Sequence, residues 1–397
     1  MLNVISLYTG VGGLDYGFKA AGFHTSAAVE LDAACCRNLR ANRSGPVLEE
    51  DIHLVSSDAI LSAANLRAGE ADVLIGGPPC QPFSKSGYWA RGDAMRLDDP
   101  RADTLTAYLR VLRDVQPRAF LLENVPGLAF KGKDEGLERV LAGLREINET
   151  TGTAYKPYWK VVNAADYGTP QMRERLVIVA ARDGSPFAFP KAKFGEGLKA
   201  YRTTWDALGD LPEQPNEPGL QMTGKWADLL PTIPEGQNYL WHTDRGGGQP
   251  LFGWRRRYWN FLLKLAKDRP AWTIQAQPGS ATGPFHWRNR KLSMRELCRL
   301  QTFPDDVSLI GSRGDIQRMV GNAVPSLLAE VMAWEIRVQL LAAGRRPRAY
   351  KLLPTARGRA PAPEAVRPLP AKFRPLIGTH EAHPGNGRGY GALGRAA

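Results

Sequence analysis

The sequence of 397 residues predicts an α/β fold, in which a large domain built on an open sheet carries a smaller inserted domain. Short apolar runs alternate with segments of helical spacing over residues 1–183, which is typical of a sheet covered by helices. A glycine turn, Gly10-Val11-Gly12-Gly13, follows the first apolar run. Residues 184–290 are instead rich in Pro, Gly and Trp and show few helical repeats, which indicates a separate small domain.

The first strand, residues 3–8, runs into this glycine turn, and an amphipathic helix follows to about Ala21. Glycines in such a turn let the backbone approach a ligand, and the helix start offers unpaired N–H groups. The second strand, residues 25–29, ends at Glu30, where an acid can hold ribose hydroxyls. A helix-capping acid is the alternative for Glu30. Asp58 closes a third short segment and could bond an adenine amino group, with an ordinary loop aspartate as the alternative.

A stiff turn with a single cysteine follows the apolar run at residues 71–75. Gly76-Gly77-Pro78-Pro79 ends that strand abruptly and places Cys80 at the carboxyl edge of the sheet, where ligands bind in open α/β folds. A cysteine held there is a candidate nucleophile, whereas a buried structural cysteine is the alternative. The polar, charged residues 84–103 predict a mobile active-site loop, with a plain disordered insert as the alternative.

Two later segments bring charged groups to the same edge. The buried strand at residues 119–122 delivers Glu123, and desolvation there favours the neutral carboxyl, which suits a proton donor. A carboxylate that caps the next helix is the alternative. Arg173 and Arg175 stand between two late strands and are two residues apart, so an extended chain points them the same way. Solvated surface arginines are the alternative.

The inserted region, residues 184–290, predicts short strands. Its segment 254–259 interleaves basic and aromatic residues, which suits contacts to phosphates and bases; an amphipathic segment with solvated arginines is the alternative. Regular structure returns with a helix at 291–301, in which Ser293 and Glu296 form a capping box. Residues 321–325 then open a final helix to about Ala343.

The net charge of +12 suggests a polyanionic partner, but it is unevenly placed. Residues 345–397 contain eleven Lys/Arg and two acidic residues, so this tail holds +9 of the total. Its eight prolines and seven glycines predict disorder. The tail would therefore either attract nucleic acid without specificity or be inert.

The four cysteines form neither a disulfide framework nor two C-x-x-C metal sites, so we expect no metal and a reducing cytosol. There is no apolar run of about 18 residues, and we expect no transmembrane helix. The N-terminus enters an apolar strand without a basic region, and we expect no signal peptide.

Taken in order, these segments resemble the DNA cytosine-5 methyltransferase family of the bacterial restriction-modification type, from residue 4 to about 340. The family usually has Phe and Ala where this chain has Tyr8 and Thr9, and Tyr can still stack on adenine. The segments resemble in turn the family's cofactor loop, nucleophile loop, acid motif, paired arginines, scaffold helix and final motif: residues 8–13, 77–84, 123–125, 171–175, 295–304 and 321–325.

The resemblance implies a Rossmann-like S-adenosylmethionine-dependent methyltransferase sheet, formed by residues 1–183 and 291–344, with a target-recognition domain inserted at 184–290. It implies that the Cys80 thiolate adds to carbon 6 of a cytosine flipped from duplex DNA. Glu123 would bond ring nitrogen 3, and Arg175, supported by Arg173, would hold the cytosine O2. The methyl group of S-adenosyl-L-methionine would then pass to carbon 5.

The resemblance also places the other contacts. Ser86 lies by family position near the space that the flipped base leaves. The residues expected to bind the cofactor are Tyr8, Gly10, Gly12, Gly13, Leu14, Glu30, Asp58, Leu105 and Asn322. The remaining residues expected to contact DNA are Arg255, Arg256, Arg257, Thr273 and Ile274.

We expect double-stranded DNA as the partner, a monomer without membrane attachment, and a place in the cytoplasm with the nucleoid. Sequence-specific methylation would protect DNA from a partner restriction endonuclease. One alternative is an RNA (tRNA) cytosine-5 methyltransferase of the same fold. A nicotinamide-dependent oxidoreductase would explain the glycine loop but not Cys80 or Glu123, and a catalytically idle DNA-binding protein would not need the full motif set.

Overall fold

A computed structural model describes residues 1–79, 103–129, 135–255 and 258–381. Within these ranges seven strands form one sheet: β1 (Leu2–Leu7), β2 (Phe23–Glu30), β3 (Val47–Glu49), β4 (Val73–Gly76), β5 (Ala119–Asn124), β6 (Tyr158–Asn163) and β7 (Glu174–Ala181). Their order is β3-β2-β1-β4-β5-β7-β6, and β7 runs antiparallel to β5 and β6. The pairs among β1 to β5 are parallel, so their carboxyl ends meet at one edge.

Helices cover both faces of this sheet. Alternate residues of β1 show the division, because Ile5 and Leu7 pack into one apolar cluster while Val4 packs into the other. The helices of the described ranges are α1 (Gly13–Ala20), α2 (Ala33–Asn42), α3 (Ser57–Ala64), α4 (Asp103–Val115), α5 (Glu135–Thr151), α6 (Thr204–Leu208), α7 (Met294–Leu300), α8 (Arg313–Asn322) and α9 (Ser326–Gln339).

Capping side chains fix the starts of α7 and α8. The predicted capping box is confirmed, since Ser293 accepts from the Glu296 backbone and Glu296 accepts from the Ser293 backbone. The prediction that residues 321–325 open the final helix is wrong in its first part. Gly321 and Asn322 end α8, which begins at a second capping box formed by Ser312 and Asp315, and the final helix begins only after Pro325.

The inserted region differs from its prediction. Its described residues form α6, short 3₁₀ turns and isolated bridges, so the expected short strands are absent from this part of the structure. Frequent prolines interrupt backbone ladders. Aromatic rings fill the interior instead, with Trp226 and Tyr239 packed against Phe252 and Phe261.

The prediction of a disordered tail is wrong for residues 345–381. Phe373 is buried and stacks on Trp226 of the inserted region, with ring centroids 5.9 Å apart. The Glu330 carboxylate on α9 accepts the backbone N–H groups of Lys351 and Leu352 at 2.7 and 2.8 Å. Apolar anchors spaced among the prolines hold this segment in place, and proline lowers the entropy that its ordering costs. Residues 382–397 lie outside the described ranges.

No helix in the described part of the chain is long and apolar enough to cross a membrane. Those same residues contain no group of three or more His, Cys, Asp or Glu arranged to hold a metal ion.

Candidate active site

A buried ion pair lies where the carboxyl end of β5 meets the start of β7. Glu123 and Asn124 end β5, and they pair with Val177 and Leu176 near the start of the antiparallel β7. Arg175 Nε lies 2.7 Å from Glu123 Oε1, and both side chains are close to fully buried. Burial raises the pKa of the Glu123 carboxyl, while the positive charges of Arg175 and Arg173 oppose that rise. The direction of this shift favours the neutral carboxyl, the form that a proton donor needs, and the role of Glu123 as a proton donor stays a prediction.

The turn that precedes Cys80 lies directly against this pair. A Cβ added to Gly77 would stand 2.8 Å from Glu123 Oε2, so only glycine allows this approach. Asn124 Nδ2 donates to the Pro78 carbonyl at 3.2 Å, and the Thr104 hydroxyl donates to the Pro79 carbonyl at 3.2 Å. The chain is therefore held on both sides up to the residue before Cys80. Cys80 itself lies outside the described residues.

The three other cysteines are unsuited to nucleophilic chemistry. Cys35, Cys36 and Cys298 are buried and free. Burial raises the pKa of all three thiols, to about 12 for Cys36 and Cys298. Since the thiolate is the attacking form, these residues are inert at neutral pH, which leaves Cys80 as the candidate nucleophile.

Arg173 has a different environment from Arg175. Its guanidinium is buried and donates to the Ile274 carbonyl at 3.3 Å and to the Gly321 carbonyl at 2.8 Å. It therefore joins the strand that carries Arg175 to the inserted region and to the end of α8. This arrangement agrees with the predicted supporting role of Arg173.

Two buried glutamines, for which no role was predicted, complete that junction. Gln171 Oε1 accepts the Ile274 N–H, and its Nε2 donates to Gln301 Oε1 at 3.2 Å. Gln301 in turn donates to the carbonyls of Val320 and Ala323. Gln171 lies in the motif of the paired arginines, and Gln301 lies in the motif of the scaffold helix. A polar amide next to apolar residues in such a motif could have indicated a buried hydrogen-bonding role.

The glycine loop stands at the neighbouring part of the same edge. Gly10 and Gly12 have positive φ angles of 57° and 91°, and the N-terminus of α1 has no side-chain cap. A Cβ on Gly10 would meet open space. Glu30, at the end of β2, accepts the Gly10 N–H at 2.7 Å and the Asp32 N–H at 2.8 Å. An open, uncapped helix start beside a fixed carboxylate fits a nucleoside-containing ligand.

The final motif reaches this loop from the far end of the chain. A Cβ on Gly13 would lie 2.4 Å from the Val324 carbonyl oxygen, so the start of α1 packs directly on residues 323–324. Asn322, the residue before them, is exposed at the end of α8. The predicted contribution of Asn322 to the cofactor pocket thus has the right position, and its contact stays a prediction.

Of the remaining residues predicted to bind the cofactor, some lie near the glycine loop and one does not. Tyr8, at a φ of 51°, donates its hydroxyl to the Thr104 carbonyl at 2.7 Å, and its ring packs on the cluster that contains the buried Leu105. Leu14 is buried in the first turn of α1. The interpretation of Asp58 is wrong, because Asp58 is exposed in the first turn of α3 and follows no strand. The third strand is β3, and two acids, Glu50 and Asp51, follow its carboxyl end.

The structure describes only some of the residues that were expected to contact DNA. Thr273 is exposed, and its hydroxyl donates to the Met172 carbonyl at 2.6 Å, just before the start of β7. Ile274 is 1% exposed and packs in an apolar cluster, so the prediction that its side chain contacts DNA is wrong. Arg255 is half-buried on the inserted region. Ser86, Arg256 and Arg257 lie outside the described residues.

Comparisons with known proteins agree with this geometry. The Type II methyltransferase M.SacI of Streptomyces achromogenes is 38% identical over 372 residues, which cover 85% of this chain and 93% of the relative. The Type II methyltransferase M1.HphI of Haemophilus parahaemolyticus is 35% identical over 344 residues, covering 84% and 86%.

A solved structure of similar fold is the putative DNA modification methyltransferase encoded within a prophage of E. coli. It has a TM-score of 0.63 at 23% identity and covers 86% of this chain and all of its own. This likeness confirms the expected Rossmann-like methyltransferase fold. The profile of C-5 cytosine-specific DNA methylases matches residues 2–337. The chain therefore belongs to the C-5 cytosine-specific DNA methylase family.

Proposed function

We propose that this DNA cytosine-5 methyltransferase acts by covalent catalysis, with Cys80 as the nucleophile and Glu123 as the proton donor. One observation carries the proposal. The Glu123–Arg175 pair is buried against the Gly77-Pro78 turn, which leads directly into Cys80. A carboxyl whose pKa is raised by burial and a guanidinium thus stand at one edge of the sheet, against the turn that precedes Cys80, and each residue would have a separate role toward a cytosine ring.

The roles follow from the chemistry of the ring, whose carbon 5 is a weak nucleophile. The Cys80 thiolate adds to carbon 6 while Glu123 gives its proton to ring nitrogen 3, which turns the ring into an enamine. Arg175 donates to the cytosine O2 and holds the ring in place. After carbon 5 has been methylated, its proton passes to a base, the carbon 6–sulfur bond breaks, and the proton on ring nitrogen 3 returns to Glu123. These steps restore the thiolate, the carboxyl and the aromatic ring.

The target must leave the duplex for this chemistry, because stacking hides both faces of the ring. Rotation of the nucleotide costs a few kcal/mol, which contacts to the protein must offset. The buried position of Glu123 and Arg175 agrees with this requirement, since a base inside the helix cannot reach them.

The methyl donor of this family, S-adenosyl-L-methionine, supplies an electrophilic methyl group when it is bound. The residues at the loop fit it. Gly10 and Gly12 allow close approach of the backbone, Glu30 presents a carboxylate at the end of β2, and Tyr8 offers a ring. These residues would bind and orient the donor beside the Glu123 pocket.

We also propose the division of the chain. Residues 1–183 and 291–344 form the catalytic domain, and residues 184–290 form the recognition domain. One apolar cluster supports this division and extends it, because it combines residues 222–285 with Phe373, Leu369 and Leu376. Residues 369–376 are thus part of the proposed recognition domain, whereas Tyr350, Leu352 and Leu353 pack on the catalytic domain.

Incubation with labelled S-adenosylmethionine and either duplex DNA or tRNA tests the function. We expect label on carbon 5 of cytosine in DNA and none on tRNA. Labelled tRNA with unlabelled DNA would overturn the proposal in favour of the RNA alternative.

We further propose that methylation is confined to one sequence and protects that sequence from a partner restriction enzyme. The relatives named as Type II methyltransferases support this proposal. Plasmid DNA from cells that express the protein should resist a restriction enzyme that cuts the methylated sequence. Plasmid cut as fully as DNA from cells without the protein would contradict protection.

A further inference from the structure

Two exposed tryptophans lie beside the catalytic strand, and the mechanism does not use them. Trp259 and Trp272, here called the indole pair, are 46% and 40% exposed. Their ring centroids are 5.5 Å apart and their planes meet at 77°. Together they form an exposed apolar surface, which a folded protein keeps at a cost unless a partner covers it.

The indole pair is tied to the active site through backbone contacts. The Ala271 N–H donates to the Pro170 carbonyl at 2.9 Å, and the Met172 N–H donates to the Ala271 carbonyl at 2.8 Å. On the other side of Trp272, the Thr273 hydroxyl donates to Met172. Trp272 is therefore anchored on both sides to the segment that leads into Arg173 and Arg175.

Trp259 is fixed independently. Asn238 Nδ2 donates to the Trp259 carbonyl at 2.7 Å, and the Tyr258 carbonyl accepts the Phe261 N–H at 2.8 Å. The indole pair is therefore held on a defined backbone, and both rings stand at the boundary between the catalytic centre and the recognition region.

Two arginines contact aromatic residues of the chain segment that leads into Trp259. The Tyr239 hydroxyl bonds the N–H and the carbonyl of Arg255 at 2.9 and 2.7 Å, which fixes the backbone of this arginine. Its guanidinium lies 5.6 Å from the centroid of the exposed Tyr258 ring. Arg245 lies 4.2 Å from the centroid of the Trp254 ring. Aromatic faces with flanking guanidinium groups match the base faces and phosphates of nucleic acid.

We propose that the indole pair stacks on the bases that become exposed in duplex DNA when the target cytosine rotates out, while Arg245 and Arg255 contact the flanking phosphates. This inference rests on the proposed function, because only rotation of a base opens such faces. Apolar side chains inserted between base steps offset the lost stacking, and base–aromatic stacking adds to affinity. The indole pair thus stabilises the opened duplex, and Glu123 and Arg175 receive the cytosine.

The test uses the full chain and a duplex oligonucleotide that contains the methylated sequence found by bisulfite mapping. Trp272→Ala and Trp259→Ala should each weaken duplex affinity about 10- to 100-fold. The affinity for S-adenosylhomocysteine and the melting temperature should stay near those of the wild type. Trp159→Ala is the matched control, because Trp159 is 45% exposed on the edge strand β6 and should leave duplex affinity unchanged.

Two further variants decide the matter if the alanine forms do not fold. Trp272→Phe keeps an aromatic face, and Trp272→Leu keeps apolar volume without one. We expect Phe to retain most of the duplex affinity and Leu to lose it. Equal affinities for the Phe and Leu forms, or wild-type affinity in the alanine forms of an active enzyme, would overturn the inference alone. A wild-type protein that transfers no methyl group to duplex DNA would overturn the proposed function, and the inference with it.

Discussion

The catalytic edge of the sheet and the recognition region are built in different ways. At the edge, short apolar strands end at single polar residues, so the backbone of β5 and β7 sets the place of Glu123 and Arg175. In the recognition region, side chains from distant segments hold irregular backbone together. Lys267 pairs there with Glu235 at 2.7 Å and with Glu364 at 2.9 Å, all in one partly buried cluster.

This difference indicates which substitutions will affect activity and which will affect stability. A polar group at the end of a buried strand contributes to chemistry and little to folding, because its neighbours are held by the ladder. A side chain that joins segments of the recognition region contributes to folding. Its removal should lower the measured activity only by lowering the fraction of folded molecules. Substitutions in the two regions should therefore separate activity from stability.

The largest effect is expected for Glu123→Gln. The amide cannot deliver a proton to ring nitrogen 3, so kcat should fall about 10²- to 10⁴-fold. The amide keeps the side-chain volume but leaves the buried Arg175 guanidinium without its countercharge, so the melting temperature should fall somewhat, and kcat is therefore compared per folded molecule. Glu174→Gln is the control, since Glu174 is exposed on the neighbouring strand. Equal kinetic losses in both variants would contradict the assigned role.

Phe373→Ala should show the opposite behaviour. This ring is 3% exposed and stacks on Trp226, so its truncation should lower the free energy of unfolding by about 3–5 kcal/mol. The rate per folded molecule at low temperature should change little. Ile377→Ala, at a 43% exposed position of the same segment, should change stability by less than about 0.5 kcal/mol. Urea unfolding measures both, and a harmless Phe373→Ala would mean that this segment is not part of the folded core.

A pH dependence of stability should come from His286 in the recognition region. Burial lowers the pKa of His286 to about 3, although Glu296 opposes the shift. Its Nδ1 accepts the Arg288 N–H at 3.1 Å, so the proton of the neutral ring stands on Nε2, which faces Glu296. The unfolded chain binds a proton at His286 below a pH of about 6.5, whereas the folded chain does not.

Stability should therefore fall as the pH drops, and this residue should account for about 2 kcal/mol between pH 7 and pH 5. Urea unfolding of His286→Gln at both pH values should show that much less dependence on pH. His380→Gln is the control at an exposed position and should keep the wild-type slope. An unchanged slope in His286→Gln would show that another group is responsible.

The smallest effect is expected for Tyr8→Phe at the catalytic edge. Loss of the hydroxyl bond to Thr104 should cost about 1 kcal/mol of stability. Because the ring remains, affinity for S-adenosylmethionine should stay within about 3-fold, whereas Tyr8→Ala should weaken it by at least about 10-fold through lost stacking. Calorimetric titration compares the two. Equal losses would assign the contact to the hydroxyl instead of the ring.

Much of the catalytic edge could be predicted because its patterns are local. The apolar runs that became β1, β4 and β5 are continuous in sequence, and a polar residue at a strand end marks the edge. Asp58 was misassigned because β3 has only three residues, too few for a periodic pattern. Asp51, which does lie just after the third strand, could not be recognised because that strand is too short to show periodicity.

The recognition region could not be predicted in the same way. The composition of the segment 345–381 predicted disorder. Its partners Glu330, Trp226 and Asp206 are distant in sequence, so no local pattern indicated that they would hold the segment in place. The Gln171–Gln301 contact joins residues that are 130 positions apart. Such contacts depend on tertiary packing, and a single sequence carries no record of them.

The most direct test of the account is bisulfite sequencing of DNA from cells that express either the wild-type chain or Cys80→Ser. We expect protected cytosines within one short sequence for the wild type and none for Cys80→Ser. Protection that persists at wild-type level in Cys80→Ser would show that the thiol is not the nucleophile. An absence of protected cytosines with the folded wild-type protein would contradict the account itself.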